Sequence, residues 1–107
     1  MTLLAVYTTV ASREEALTMA QALVERRLAA CAQIEAIESV YRWDGAVRNE
    51  AEFRVMFKTV AARYAEVEAA IRGLHSYELP AIHAVAVSEA DARYAGWVGE
   101  ETRGAGR

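Results

Sequence analysis

The apolar positions at the start of the chain form one continuous run, from Leu3 to Val10, that contains β-branched residues and stops at Ala11. A run of this length and composition predicts a buried strand. A helix follows, because apolar residues then recur at helical spacing. These residues are Ala16, Leu17, Ala20, Leu23, Val24 and Leu28.

The ends of this first helix carry recognisable signals. Ser12-Arg13-Glu14-Glu15 matches a capping box, in which the serine hydroxyl accepts an N–H of the first turn and Glu15 reaches back to the N-cap. Arg26 and Arg27 are expected in the last turn, where they complement the helix dipole. The helix is therefore predicted to begin after Ser12 and to extend through both arginines.

The period of the pattern changes to two after Ala30, which predicts two strands joined by Asp44-Gly45. This dipeptide favours a type I′ turn, because both central residues of that turn need a positive φ. One face of the first strand carries Cys31, Gln33, Glu35, Ile37, Ser39, Tyr41 and Trp43. The second strand alternates from Glu50 to Lys58, with Ala51, Phe53, Val55 and Phe57 on its apolar side.

The length of this hairpin has a consequence for assembly. Residues 30–43 would extend about 45 Å if straight, at about 3.3 Å per residue. A compact chain of this size has a radius of gyration of only about 13 Å. The hairpin must therefore bend or reach beyond its own subunit. Its tip carries Tyr41 and Trp43, whose large aromatic surface predicts packing against another copy of the protein.

The second half of the chain predicts two more helices and a strand. A helical stripe consists of Tyr64, Val67, Ile71 and Leu74. An irregular segment follows this helix and ends at Pro80, the only proline. A strand is then predicted over residues 82–87. Residues 91–98 predict a short last helix docked by Tyr94, Trp97 and Val98, and the tail, residues 100–107, is expected to be frayed.

The order of the predicted elements is β-α-β-β-α-β with a short C-terminal helix. This order is typical of an α+β, ferredoxin-like fold, in which two helices cover one face of an antiparallel sheet. The 107 residues fit a single domain, residues 1–107. The fold by itself names no function.

Composition narrows the classes of partner. The chain has 12 basic and 15 acidic residues and a net charge of −3, with no basic stretch, so a nucleic-acid groove is not expected. The first apolar run lacks a positive region before it and is too short for a signal peptide or a membrane span. A cytoplasmic protein that binds neither nucleic acid nor membrane is therefore expected.

Soft metal ligands are few and scattered. Cys31 is the only cysteine, so it forms no internal disulfide and no paired-cysteine zinc pattern. With His75 and His83 it could hold a soft transition metal. The alternatives are a buried structural thiol or a nucleophile at Cys31, a helix C-cap at His75 and a packed or rim histidine at His83.

Charged residues on the second hairpin strand form a second candidate. Glu50, Glu52 and Lys58 share a strand face, and Lys58 is the only lysine in the chain. A compact ammonium at this one position suggests that a guanidinium would not fit there. The cluster is either a pocket for a basic or metal ligand at a subunit boundary or a structural group of ion pairs.

Six segments of the chain form a recognisable set: Leu28-Ala29-Ala30-Cys31-Ala32-Gln33, Ser39-Val40-Tyr41-Arg42-Trp43-Asp44-Gly45, Glu50-Ala51-Glu52, Lys58-Thr59, His75-Ser76-Tyr77-Glu78-Leu79-Pro80 and Tyr94-Ala95-Gly96-Trp97. Together they resemble the CutA divalent-cation tolerance proteins. The resemblance runs from about Leu3 to Trp97. It rests on the order and spacing of the segments, since no single motif is decisive.

This resemblance implies a tight homotrimer of ferredoxin-like subunits, similar in architecture to the PII-type signalling trimers. It also implies a link to divalent-cation tolerance, with copper or another divalent cation as a ligand that folding does not require. The cleft residues carried over by position are Gln33, Tyr41, Trp43, Glu50, Glu52, Lys58, His75 and Tyr77.

Three functions follow as hypotheses. The first is a non-enzymatic trimer that binds metal ions or a small ligand at clefts between subunits. The second is a structural or signalling trimer that acts through a protein partner. The third is an acylphosphatase-like enzyme, which is disfavoured because residues 10–12 form no glycine-rich anion cradle.

Overall fold

The computed structural model describes residues 1–104 and has an α+β architecture, as predicted. Its strands are β1 (Leu3–Val10), β2 (Cys31–Trp43), β3 (Ala46–Val60) and β4 (Ile82–Ala86). Its helices are α1 (Arg13–Glu25), α2 (Tyr64–Leu74) and α3 (Ala92–Glu101), and a 3₁₀ turn over Ala61–Arg63 precedes α2. No helix in this part of the chain is long and apolar enough to cross a membrane.

The four strands form one sheet in the order β2-β3-β1-β4, and every neighbouring pair is antiparallel. One row across the sheet joins Cys31, Lys58, Ala5 and Val85. Because side chains alternate along a strand, these residues and their i ± 2 neighbours share one face. This face is called the open face below, since α1 and α2 cover the other one.

The main core lies between the sheet and these two helices. Even-numbered residues of β1 and odd-numbered residues of β3 point into it, as the predicted alternation requires. Its fully buried side chains include Val6, Val10, Met19, Leu23, Val55, Phe57, Val67 and Ile71. The core ends before the hairpin tip, so both strands continue past it.

The hairpin arm, defined here as residues 38–51, extends beyond the helices, and most of its residues are exposed. Asp44 and Gly45 have φ values of 51° and 76°, which confirms the two positive φ angles predicted for the turn. The arm contributes to a long shape of 44 × 29 × 20 Å. Trp43 is 42% exposed and Val40 and Val47 more so, so the tip offers apolar surface to a partner.

The third helix packs against the open face at one end of the sheet. Val98 is buried there against Leu3 and Val60. Tyr94 also contacts this face, as predicted, with its hydroxyl 3.8 Å from Cys31 Sγ. The prediction that Trp97 docks the helix as well was wrong, since Trp97 is 43% exposed and stacks on the Tyr94 ring at 5.9 Å. Helical geometry explains the difference, because Tyr94 and Val98 are four residues apart and share a face, whereas Trp97 lies about 100° around the helix from Val98.

The chain after this helix also differs from prediction. The helix continues to Glu101, and Thr102 is 1% exposed with its hydroxyl donating to the Val98 carbonyl at 2.9 Å. The side chains of Arg27 and Arg63 donate to carbonyls of this turn. The expected fraying therefore does not apply to residues 100–102, and residues 105–107 lie outside the described part.

The end of the first helix was predicted two residues too late. The helix ends at Glu25, and Arg27 adopts a φ of 59°. This left-handed residue lets the N–H groups of Leu28 and Ala29 reach the Leu23 carbonyl. Arg27 thus reverses the chain towards β2 and directs its own guanidinium to the end of α3.

Candidate functional site

A cleft of about 790 Å³ lies at the base of the hairpin arm, at the end of the open face opposite α3. Strands β2 and β3 form its floor, and the loop between α2 and β4 forms one wall. The lining residues are Thr9, Ala11, Ser39, Val40, Tyr41, Trp43, Glu50, Glu52, Ser76, Tyr77, Glu78, Leu79 and Ala81. This volume is in the range of small-molecule sites rather than of a bare ion.

Two phenol–carboxylate pairs lie in the cleft. The Tyr77 hydroxyl donates to Glu52 Oε2 at 2.6 Å, and the Tyr41 hydroxyl donates to Glu50 Oε1. The other carboxylate oxygens, Glu50 Oε2 and Glu52 Oε1, have no hydrogen-bond partner among the described residues. Each acid therefore keeps one oxygen available to a ligand.

Burial strengthens the pair that lies deeper. Glu52 is only 6% exposed. Burial, followed by the hydrogen bond to Glu52, raises the pKa of the Tyr77 phenol well above its usual value. The pKa of Tyr41 is also raised, chiefly by its hydrogen bond to Glu50. Both phenols thus stay protonated and act as donors to the carboxylates.

The charge of the cleft is one-sided. Its lining includes Glu50, Glu52 and Glu78 and no lysine, arginine or histidine. Within residues 1–104, no basic side chain lies within 4.0 Å of the carboxylates of Glu50 or Glu52. A buried carboxylate without a cation is costly, so this arrangement favours a positively charged ligand or a basic group from another molecule.

Five of the predicted cleft residues line this cleft together: Tyr41, Trp43, Glu50, Glu52 and Tyr77. Gln33 and Lys58 do not, although they lie on the same open face. Lys58 pairs with Cys31 in the strand register, and its Nζ lies 5.8 Å from the centre of the Tyr94 ring. The two residues are thus at the α3 end of the face.

From the loop that forms the wall, the sequence predicted only Tyr77 as a cleft residue. Ser76, Glu78 and Leu79 line the cleft but carried no role in the predicted site. A signal was present, because Pro80 marks an irregular segment between a helix and a strand, where binding residues are often found. Nothing in the local pattern, however, indicates which strand that segment faces.

The predicted soft-metal residues are not brought together. No group of three or more His, Cys, Asp or Glu residues in the described chain could hold a metal ion. Cys31 Sγ lies 3.8 Å from the Tyr94 hydroxyl, whereas His83 stacks on Tyr7 with ring centres 5.2 Å apart. Cys31 on β2 and His83 on β4 are three strands apart, about 14 Å at the usual strand spacing.

His75 lies behind the cleft wall, with its side chain fully buried. Its Nδ1 accepts the Tyr77 N–H at 3.1 Å, and its Nε2 lies 2.9 Å from the Thr9 carbonyl. Since Nδ1 accepts, the proton belongs on Nε2, which donates to the carbonyl. Both nitrogens of this neutral ring are therefore engaged within the chain.

Comparison with known proteins identifies a family. Residues 4–101 match the model of the family described as CutA1 divalent ion tolerance protein. The "Divalent-cation tolerance protein CutA" of Thermus thermophilus is 39% identical over 95 residues, covering 88% of this chain and 92% of that protein. "Protein CutA, chloroplastic" of Arabidopsis thaliana is 32% identical, covering 92% of this chain and 54% of that longer protein.

Solved structures agree in fold. The chain superimposes on the "Periplasmic divalent cation tolerance protein CutA" of Archaeoglobus fulgidus with a TM-score of 0.92. The two are 33% identical, and the match covers 94% of this chain and 99% of that one. The CutA1 structure from Oryza sativa gives a TM-score of 0.93 at 29% identity, covering 98% and 97% of the two chains.

Proposed function

The chain belongs to the CutA1 divalent ion tolerance family, and we propose that it works as a non-enzymatic homotrimer that binds divalent cations, copper among them, at clefts between subunits. The observation that carries this proposal is the pair of carboxylates, Glu50 and Glu52, each with one free oxygen and no cation beside it. Cations prefer such sites, since a carboxylate oxygen is a good ligand for a hard metal ion.

A single subunit provides too few ligands for a complete site. Two carboxylate oxygens fall short of the four ligands that zinc takes or the six that magnesium takes. Water or a neighbouring subunit must supply the others. Thiolate and imidazole suit copper better than a carboxylate does, but Cys31 and His83 lie three strands apart, so either could join a site only with donors from another subunit.

The trimer in this proposal places Gln33 and Lys58 at the cleft of the neighbouring subunit. In one chain these residues lie at the α3 end of the open face, away from their own cleft. In a ring of three copies, one end of each face can meet the opposite end of the next. The exposed apolar tip of the hairpin arm supports such contacts, because it would otherwise stay in water.

Each subunit in this proposal is a single ferredoxin-like domain over residues 1–107. A cytoplasmic location remains a prediction, since relatives carry names from other compartments. A small organic ligand in the same cleft is the competing occupant, because the cleft is larger than a metal ion needs.

Native mass spectrometry with and without Cu²⁺ and Zn²⁺ tests the proposal. We expect a trimer that takes up copper in whole equivalents and retains it against zinc. Glu52→Gln should reduce this uptake. Glu38→Gln is the matched control, because Glu38 is an exposed glutamate on the same hairpin but on the opposite face. A monomer, or equal uptake by both variants, would contradict the proposal.

Lys58→Arg separates a ligand site from an architectural one. The substitution keeps the charge but replaces a compact ammonium by a planar guanidinium. An intact trimer with weaker copper binding supports a role of Lys58 in the cleft. Loss of the trimer instead assigns Lys58 to the architecture of the interface.

A further inference from the structure

The wall of the cleft is an irregular segment, residues 76–81, between α2 and β4. Within the described part of the chain, its side-chain hydrogen bonds to other elements are made by Ser76 and Tyr77 alone. Neither a helix nor a sheet ladder fixes this segment. Its position in the cleft therefore depends on these few side-chain contacts.

Glu15 on α1 holds the segment from behind. Its Oε2 accepts the Ser76 N–H at 3.0 Å, and its Oε1 accepts the Ser76 hydroxyl at 3.0 Å. The capping-box prediction was half right: the Glu15 N–H does donate to Ser12 Oγ at 3.1 Å. The carboxylate does not return to the N-cap; its two oxygens accept hydrogen bonds from Ser76 instead.

This contact is well placed to resist competition from water. The Glu15 side chain is only 18% exposed, and the neutral His75 ring packs beside it, with Nδ1 3.9 Å from Glu15 Oε2. A carboxylate that accepts two hydrogen bonds is held more firmly than a neutral acceptor with one. Glu15 thus joins the first turn of a rigid helix to the first residue of the wall.

The contact continues from Ser76 to the cleft itself. Tyr77 follows directly, its N–H donates to His75 Nδ1, and its ring lies 4.9 Å from the His75 ring. Its hydroxyl then reaches Glu52 across the cleft. Tyr77 is therefore fixed at its backbone by residues behind the wall and at its hydroxyl by the floor.

We propose that Glu15, which does not line the cleft, is a positioning residue for it: by fixing Ser76 it sets the place of Tyr77 above Glu52. This role extends the proposed function, and its effect on ligand binding rests on that function. It predicts that the cleft changes when a side chain on the far side of the wall is removed, although the floor is untouched.

The test uses tyrosine-labelled protein without metal, observed by aromatic ¹H–¹³C NMR. Glu15→Ala is compared with Glu14→Ala, its exposed neighbour in the same helical turn. The ring signals of Tyr77 are assigned by their absence from the spectrum of Tyr77→Phe. In Glu15→Ala only, we expect these signals to move towards the chemical shifts of a mobile tyrosine ring. Glu15→Gln should restore part of the native shift, because its amide oxygen can still accept a bond from Ser76.

Copper titration of the same variants separates this role from the proposed function. Glu15→Ala should bind Cu²⁺ about tenfold more weakly than Glu14→Ala, which corresponds to about 1.4 kcal/mol. If the wild type binds no copper but the Tyr77 signals still move, the proposed function fails and the positioning role stands. Unmoved Tyr77 signals in folded Glu15→Ala overturn the positioning role.

A second variant keeps the test open if Glu15→Ala does not fold. Ser76→Ala removes only the hydroxyl bond and leaves the N–H bond to Glu15. A smaller shift of the Tyr77 signals in the same direction supports the proposal. Native Tyr77 signals in Ser76→Ala, where Glu15→Ala cannot be studied, would count against it.

Discussion

Tyr77 and Glu52, 25 residues apart in the chain, are joined by a 2.6 Å hydrogen bond from the phenol to the carboxylate. This bond ties the irregular wall of the cleft to the strand that forms its floor. Glu52 is buried, and Tyr77 is its only hydrogen-bond donor among the described residues. The pair is therefore both a structural link and the inner end of the proposed binding site.

Tyr77→Phe should destabilise the protein, because it leaves a buried carboxylate without its donor. The expected loss is about 1–3 kcal/mol in the free energy of unfolding. Tyr64→Phe is the matched control, since Tyr64 donates to Glu68 at 2.9 Å within α2 and does not line the cleft. Urea unfolding of both variants measures the difference, and equal losses would contradict a special role for Tyr77.

Stability should fall as the pH rises above about 10, the usual pKa of tyrosine. Folding raises the pKa of Tyr77, so the folded state keeps a proton that the unfolded state releases. Its contribution is full below pH 10 and is lost as the pH rises through the folded-state pKa. The melting temperature of wild type should therefore decline more steeply between pH 9 and pH 11 than that of Tyr77→Phe. Parallel profiles would exclude this contribution.

Trp43→Ala should weaken the trimer, because a large exposed aromatic at the arm tip is typical of an interface anchor. A loss of about 2 kcal/mol in assembly free energy is expected for such a residue. Trp43→Phe should retain most of the assembly. Light scattering over a dilution series measures the fraction of trimer. Val24→Ala is the control, because Val24 is an exposed apolar residue of α1. An unchanged trimer in Trp43→Ala would refute the placement of the arm.

Arg27→Ala should lower stability by about 1–2 kcal/mol, because the guanidinium donates to the carbonyls of Glu100 and Arg103 at 2.7 and 2.9 Å. Arg27→Gly should be milder by about 1 kcal/mol, since glycine adopts the φ of 59° without steric cost. Arg26→Ala, at a neighbouring residue with φ of −78°, is the control. Urea unfolding measures the free energy of unfolding of the three variants. A glycine variant less stable than the alanine variant at residue 27 would contradict the prediction.

Much of the fold could be predicted because local patterns specify local structure. The alternation from Glu50 to Lys58 and the Asp44-Gly45 turn follow from the period of two and the need for positive φ. The α+β class and the order of the elements follow from the succession of such patterns. The end of α1 could not be predicted in this way, since Arg27 lies outside the helix and contacts residues more than 70 positions away.

The candidate site was only partly accessible in this way. Alternation places Glu50 and Glu52 on one face of their strand, but Tyr77 joined them only through the resemblance to a family. The pairing of the wall with the floor depends on the strand order and on the path of residues 76–81, which no local period encodes. Burial of Glu52 is likewise a property of the folded chain.

The period of each element, the turn of the hairpin and the length of its arm could all be deduced from the amino-acid order, because these depend on neighbours along the chain. Which distant residues meet became known from the folded arrangement alone. The strand order keeps Cys31 and His83 apart, because their strands are three positions apart in the sheet. Helix packing places Glu15 against Ser76, 61 residues away, because α1 packs beside the end of α2.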